Sequence, residues 1–327
     1  MQEPSADPQQ GSIVPSGPSP KRIAPRVAHG SLMLVLGCLV SLFLPFAGAI
    51  LMAYGMRELA EASGARGVAI SFAESAVLVA AALVAGVGYA ALLAPVLVCS
   101  AAVVLCMWRG ATVTNMSVAV VIGSLVSFGI DAAIAAISGI SVSETAVAYL
   151  MAALRESVGT GVEGDLLLAQ IQPVVEAVWP LIYVTGAAFD CLVAGIGSYL
   201  MGVRCTGEPG RPSLARFDAP MWSVAVLALA VVGFGASFTG IPESGLVRTV
   251  STTVFMSVRI IFALQGFGVV SALMTRSRMG CLTRTVCIFF LFWSEMMLFA
   301  MSIVGLIDIW ANFRKLPRDG SRDRVTQ

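Results

Sequence analysis

Charge is the scarcest thing in this sequence. Only 12% of its 327 residues are Asp, Glu, Lys or Arg, against roughly 25% in an ordinary soluble domain. A water-facing globule is excluded on that ground. The net charge of +1 names no electrostatic partner, and nucleic acid is not expected as one. Histidine occurs once, as His29 in a polar stretch, which argues against a histidine metal site or a Ser-His-Asp triad. The seven cysteines form no Cys-x-x-Cys pair, and five of them (Cys38, Cys99, Cys106, Cys191 and Cys287) lie in apolar runs. They read as small buried hydrophobes. No motif has nucleophile, metal or phosphate spacing, so no catalytic residue, metal or cofactor is expected and the chain is not read as an enzyme. The Gly-x-Gly pairs at 86 and 88, 195 and 197, and 233 and 235 fall within or at the ends of apolar stretches, where helix packing explains them. No internal repeat is visible, which removes direct support for an inverted-repeat transporter.

What is present is apolar. Hydrophobic residues make up 57% of the chain, and mean hydropathy is +0.89. Several runs approach or exceed the roughly 20 residues that cross a bilayer as a helix. The expected architecture is an all-α polytopic transmembrane bundle, a multi-pass protein of the cell membrane with the lipid bilayer as its first partner. About eight spans are expected, over 31–54 (interrupted by Pro45), 67–88, 90–108, 115–139, 179–202, 221–239, 250–275 and 285–307. Residues 1–30, rich in Pro, Ser, Gln and Gly, read as a disordered polar tail, too long and too polar to begin a signal peptide. Residues 31–316 form the membrane domain, and 317–327 a polar C-terminal tail.

Residues 141–178 differ in kind. "ETAVAYLMAALRESV" aligns Val147, Leu150, Met151, Leu154 and Val158 on one helical face. "GDLLLAQIQPVVEAV" does the same with Leu167, Ile171, Val174 and Val178. Two amphipathic helices on the membrane surface are expected, with a lid over a central site as the sharper alternative. Orientation stays open. Eight spans put ten Lys and Arg on the side of both termini and nine on the other, a difference too small for the positive-inside rule.

Five ionisable residues fall well inside the expected spans: Glu74, Asp131, Asp190, Arg259 and Glu295. A charge at the bilayer centre costs about 2.5–3.5 kcal/mol on insertion scales, so such groups face the bundle interior, pair, or line a hydrated path. Measured from the 276–284 loop along straight helices, Arg259 lies about 24 Å deep, Asp131 about 26 Å, Asp190 about 18 Å, Glu295 about 15 Å and Glu74 about 12 Å. Asp131 is therefore the expected partner of Arg259. Small residues (Thr252, Ala263, Gly266) share the Arg259 face, which marks it as facing protein. A ligand-binding site is expected around Arg259, Asp131, Asp190, Gln265 and Glu295, between the fourth, fifth and seventh spans. The surplus of acids leaves room for a proton, a metal cation or a cationic solute.

Four stretches together, "LPFAGAILMAYGMREL" (44–59), "WPLIYVTGAAFDCLVAGIGSYLM" (179–201), "LARFDAPMWSVAVLALAV" (214–231) and "LQGFGVVSALMTR" (264–276) followed by "GLIDIWANFRK" (305–315), resemble the YybS-like family of bacterial membrane proteins, built around a domain of unknown function. The resemblance covers most of 31–316. It implies a loose relation to the substrate-capturing subunits of energy-coupling-factor transporters. That means small-solute binding within a helical bundle, beside a separate ATPase and coupling module as partners. Its motif falls on Gln265, Gly266, Asp308, Arg314 and Lys315, and leaves Arg259 out. Those subunits have about six helices and a small-xxx-small first helix. Here that spacing occurs on the second, at Ala76 and Ala80 and at Ala81 and Ala85. Asp308, Trp310, Arg314 and Lys315 also read as an interfacial anchor with an Asp308–Arg314 or Asp308–Lys315 pair. Transport-related small-solute binding is the leading expectation, and a non-catalytic structural or regulatory membrane protein acting through partners is the alternative.

Overall fold

A computed structural model of the chain describes residues 24–158, 161–206, 214–240, 243–277 and 279–316. Among the described residues there are twelve α-helices, one 3-10 turn and no strand. The expected tails at 1–23 and 317–327 lie outside the described residues. Residues 27–30, expected to be tail, are the first turn of a helix.

The first departure from expectation is at 31–54. In place of one span there are two helices, α1 (Val27–Ser41) and α2 (Pro45–Ser63). Proline disfavours the helical conformation in the residue before it, and Leu44 is accordingly non-helical, with Pro45 opening α2. The two helices fold back on each other. A Cβ on Gly30 would meet Leu59 at 2.9 Å, one on Gly37 would meet the Met52 nitrogen at 2.6 Å, and one on Gly48 would meet Ser41 at 2.4 Å. Partners that descend in α2 as they ascend in α1 define an antiparallel hairpin. Glycine lets its two backbones nearly touch.

From the open end of the hairpin the chain continues through α3 (Ala65–Ala85), α4 (Val87–Trp108) and α5 (Val113–Ser138), the first two joined at Gly86. The amphipathic pair follows, α6 (Val142–Val158) and α7 (Val162–Val178), and then α8 (Leu181–Thr206). The 3-10 turn Leu214–Arg216 leads to α9 (Trp222–Ala236), the long α10 (Ser244–Arg276), α11 (Cys281–Leu298) and α12 (Ala300–Ala311). Five helices, α3, α4, α5, α8 and α10, are long and apolar enough to cross a membrane, and α11 with α12 makes a sixth if that pair is one span bent by 97°. The expected count of about eight is not confirmed among the described residues. At 15 residues each, α1 and α9 extend only about 22 Å, short of a hydrocarbon core of about 30 Å. The outer surface is apolar, with Leu83, Val84, Leu125, Ile137 and Leu192 exposed on it, as lipid-facing helices require.

Two apolar cores hold the bundle. One joins α1, α2, α4, α5 and α8 through Leu34, Met52, Leu97, Val103 and Ala194. The other joins α9, α10 and α12 through Val258, Phe262 and Ile309. Glycines set the close crossings. A Cβ on Gly197 would meet the Ile50 carbonyl at 2.2 Å, and one on Gly233 would meet Ser251 Oγ at 2.4 Å. Gly266 and Gly305 bring α10 and α12 together, where added Cβ atoms would lie 2.0 Å from the Met301 oxygen and 1.9 Å from the Phe262 oxygen. Gly86, by contrast, breaks a helix and packs on nothing but Tyr89.

The hairpin redistributes charge between the two ends of the bundle. Contacts between Asp131 and Tyr183, Cys99 and Ala187, and Arg204 and Tyr54 fix the relative directions of α2, α4, α5 and α8. Arg314, beyond α12, meets the carbonyls of Ala215 and Phe217. One end therefore holds the open end of the hairpin, the α4–α5 turn, the α8–α9 connection, the α10–α11 turn and the end of α12. Among the described residues it carries Arg26, Arg57, Arg66, Arg109, Arg204, Arg216, Arg276, Arg284, Arg314 and Lys315. The other end, with α6, α7 and the α9–α10 connection, carries only Arg155 and Arg248 among the described residues. The even split expected from eight spans came from counting 31–54 and 285–307 as single crossings.

Candidate functional site

Arg259 does not meet Asp131. Its Nε donates to Glu295 Oε1 at 3.1 Å, and its guanidinium stacks on Phe299 with 3.9 Å to the ring centroid. Glu295 is buried and satisfied on both oxygens. Ser302 Oγ donates to Oε1 at 2.6 Å and the Ser302 amide to Oε2 at 3.0 Å. The carboxylate thus caps the first turn of α12, where the helix dipole favours negative charge. The straight-helix depth estimate failed because α11 begins at Cys281, four residues earlier than expected. Counted from the ends of α10 and α11, Arg259 and Glu295 differ by only about 5 Å in depth, which an arginine spans. The expectation that the Arg259 face looks into protein holds, since Gly266 on that face packs on α12.

Gln265 belongs to a second network. Its Oε1 accepts from the Ala219 amide at 2.7 Å and its Nε2 donates to Asp308 Oδ2 at 3.1 Å. Asp308 also accepts from Arg314 Nη2 at 2.8 Å, from Arg314 Nε at 3.1 Å and from the Phe313 amide at 2.9 Å. The Asp308–Arg314 pair was expected at an interface. It is instead enclosed, with Asp308 wholly buried. Arg314 also reaches the carbonyls of Ala215 and Phe217 and lies 3.9 Å from Asp218. These contacts tie the 214–220 segment, α10 and the end of α12 into one unit. Lys315 is exposed.

Asp131 and Asp190 come together elsewhere, on the wall of a cavity of about 520 Å³ between α5, α6 and α8. Tyr183 Oη donates to Asp131 Oδ2 at 2.8 Å. Asp190, two turns further along the same face of α8, has no hydrogen bond or ion pair among the described residues. The α6 wall supplies Thr145 and Tyr149, and α5 supplies Ser127. No Lys, Arg or His lines the cavity. None of Arg259, Gln265 and Glu295 belongs to it either, so the expected five-residue site divides into three places. The α6 face formed by Val147, Leu150, Met151, Leu154 and Val158 is half-buried as expected. On α7 the packed face is one residue off, because Leu168 and Val175 are buried while Leu167 and Val174 are exposed. Consecutive leucines and valines there leave the periodicity degenerate. Helix α6 lies on the bundle end and supplies one wall of the cavity.

A third group of charges, at the basic end, escaped the sequence reading because 55–66 looked like a loop. Helix α2 carries on through it and buries Arg57 and Glu58. Glu58 accepts from the Arg26 amide at 3.1 Å and contacts His29 Nδ1 at 2.5 Å, while Arg57 pairs with Glu61 at 2.6 Å. His29 is thus a helical residue holding α1 to α2. Glu74 accepts from Ser31 Oγ at 2.6 Å, and its Oε2 is buried with no hydrogen-bond partner. No group of three or more His, Cys, Asp or Glu fit to hold a metal occurs among the described residues.

The chain matches no family model, no curated protein and no solved structure. What the composition, the apolar helices and the apolar outer surface establish is the class, a multi-pass integral membrane protein of all-α architecture.

Proposed function

We propose that this protein binds a small solute in the cavity between α5, α6 and α8, as the solute-capturing part of a transport process across the cell membrane. The observation that carries this is the cavity itself. Set apart from the charge networks of the rest of the bundle, it holds two carboxylates and several hydroxyl groups on a mostly apolar wall, in the size range of small-molecule sites. Intramembrane carboxylates of this kind mark binding sites and solute paths by default. The charge distribution supports a direction. Among the described residues, ten basic side chains at one end against two at the other favour a cytoplasmic basic end by the positive-inside rule. The cavity then lies toward the outer face, beneath α6. The likeness of 264–276 and 305–315 to YybS-like proteins, with their loose relation to substrate-capturing subunits, points the same way.

The alternative is a structural or regulatory role through membrane partners. Helix α11 favours it, because Phe289, Phe290, Phe292 and Trp293 are exposed on a helix that packs little against the rest. Purification from native membrane, with mass spectrometry of co-purifying molecules, separates the two. The solute-binding reading expects a small molecule retained by the natural protein and lost from Gly186→Phe. Position 186 lines the cavity with open space around its Cβ. Co-purifying proteins without any such molecule would favour the alternative.

A further inference from the structure

From the chemistry of the cavity wall and of the surface around it, we infer that the solute is a small organic cation, a protonated or quaternary amine on an apolar body. This rests on the solute-binding reading above and deepens it. The wall supplies two carboxylates and no cationic side chain, so an anion would meet only repulsion. Tyr149 and Tyr183 line the cavity together with the two carboxylates, and aromatic rings attract ammonium groups. Asp131 already accepts from Tyr183, which leaves Asp190, without a hydrogen bond or ion pair among the described residues, as the principal anchor. A carboxylate on an apolar wall is costly unless a cation or proton joins it.

The surface around the cavity adds an independent observation. At the α6–α7 end the described residues include Glu144, Glu156, Glu163, Asp165, Glu176 and Glu243, against Arg155 and Arg248. Arg155 is engaged by Asp165 at 3.3 Å and Arg248 sits over Phe238. A negatively charged bundle end beside a low-dielectric wall raises the local concentration of cations. An inorganic ion is disfavoured. No triad of metal-ligating side chains is present among the described residues, and a space of about 520 Å³ far exceeds a dehydrated ion. The mixture of apolar wall, hydroxyls and carboxylates matches a molecule that has a charged head and a carbon body.

The test is equilibrium binding to the full chain in lipid nanodiscs at neutral pH. The probes are a size-graded panel of amines (methylamine, tetramethylammonium, 1,5-diaminopentane, benzylamine, 3-phenylpropylamine), each with a neutral alcohol counterpart. At least one amine is expected to bind saturably, at least tenfold tighter than its alcohol. The same amine is expected to bind at least tenfold more weakly to Asp190→Asn and to Gly186→Phe, and unchanged to Lys315→Met, which removes an exposed charge at the opposite end of the bundle. Asp190→Asn keeps the side-chain shape, and an unchanged unfolding temperature confirms that the variant is folded. Amine binding that is absent, or equal in Asp190→Asn, overturns the cation assignment. A neutral or anionic molecule retained from native membrane and lost from Gly186→Phe overturns it too, while leaving the solute-binding reading intact. If Gly186→Phe loses nothing, both fail.

Discussion

Asp308 is fully buried and faces donors from Gln265, Phe313 and Arg314. Removing one member of such a set leaves an uncompensated buried charge, at a cost of about 3–5 kcal/mol. Arg314→Met is expected to lose that much stability in thermal or denaturant unfolding in micelles. Lys315→Met, at an exposed position, is expected to change stability by less than about 0.5 kcal/mol. Glu295→Ala strips Arg259 of its partner and uncaps α12, so it is expected to destabilise by a few kcal/mol. Amine binding in the cavity should be unaffected by it, because neither residue lines that space. A loss of binding in Glu295→Ala without loss of fold would place the site on the wrong side of the bundle. The five intramembrane charges could be picked out from the sequence by their apolar surroundings alone. Their partners could not. Pairing turned on where α11 begins, and a four-residue error in that boundary was enough to exchange Glu295 for Asp131. Asp308 could be matched from its sequence neighbours to Arg314 or Lys315, and the structure selects Arg314, but the burial of the pair depends on the distant 214–220 segment.

At the scale of elements, glycine decides which helices meet. Gly266→Val or Gly305→Val drives a side chain into backbone oxygens about 2 Å away. Each is expected to cost at least the 1–3 kcal/mol typical of overpacking. Gly235→Ala, with open space around the added carbon, is expected to be neutral or stabilising by up to about 1 kcal/mol. The same unfolding assay reads all three. The α1–α2 hairpin makes a sharper prediction. Single cysteines at Arg26→Cys and Gly64→Cys, in a background without other cysteines, should label from the same side of the membrane, and Ser157→Cys from the opposite side. Labelling of Arg26→Cys and Gly64→Cys from opposite sides would restore a single span over 31–54. Pro45 signalled the break in the sequence. The return was hidden, because the contact glycines are seven apart (Gly30 and Gly37, Gly48 and Gly55), not four. The long spans were readable because each is a continuous apolar run. The α7 face was misplaced by one residue because adjacent apolar residues offered two equivalent stripes.

For the whole molecule, the hairpin and the broken α11–α12 pair turn an even charge count into a polarised one, basic at one end and acidic at the other. That polarity links architecture to function. Under the positive-inside rule it supports the proposed orientation, with the amphipathic pair outside and the cavity of Asp131 and Asp190 at the acidic end. The sequence reading brought these two aspartates together for the wrong reason, as partners of Arg259. The structure joins them because α5 and α8 run antiparallel with Asp131 and Tyr183 in contact. The measurement that bears most directly on this account is an experimental structure of the protein purified from its native membrane in native lipid. The account predicts density for a compact molecule between α5, α6 and α8, with a polar group against the Asp190 carboxylate. A lipid chain filling that space, or α6 closed onto α5 and α8 with no cavity left, would contradict it.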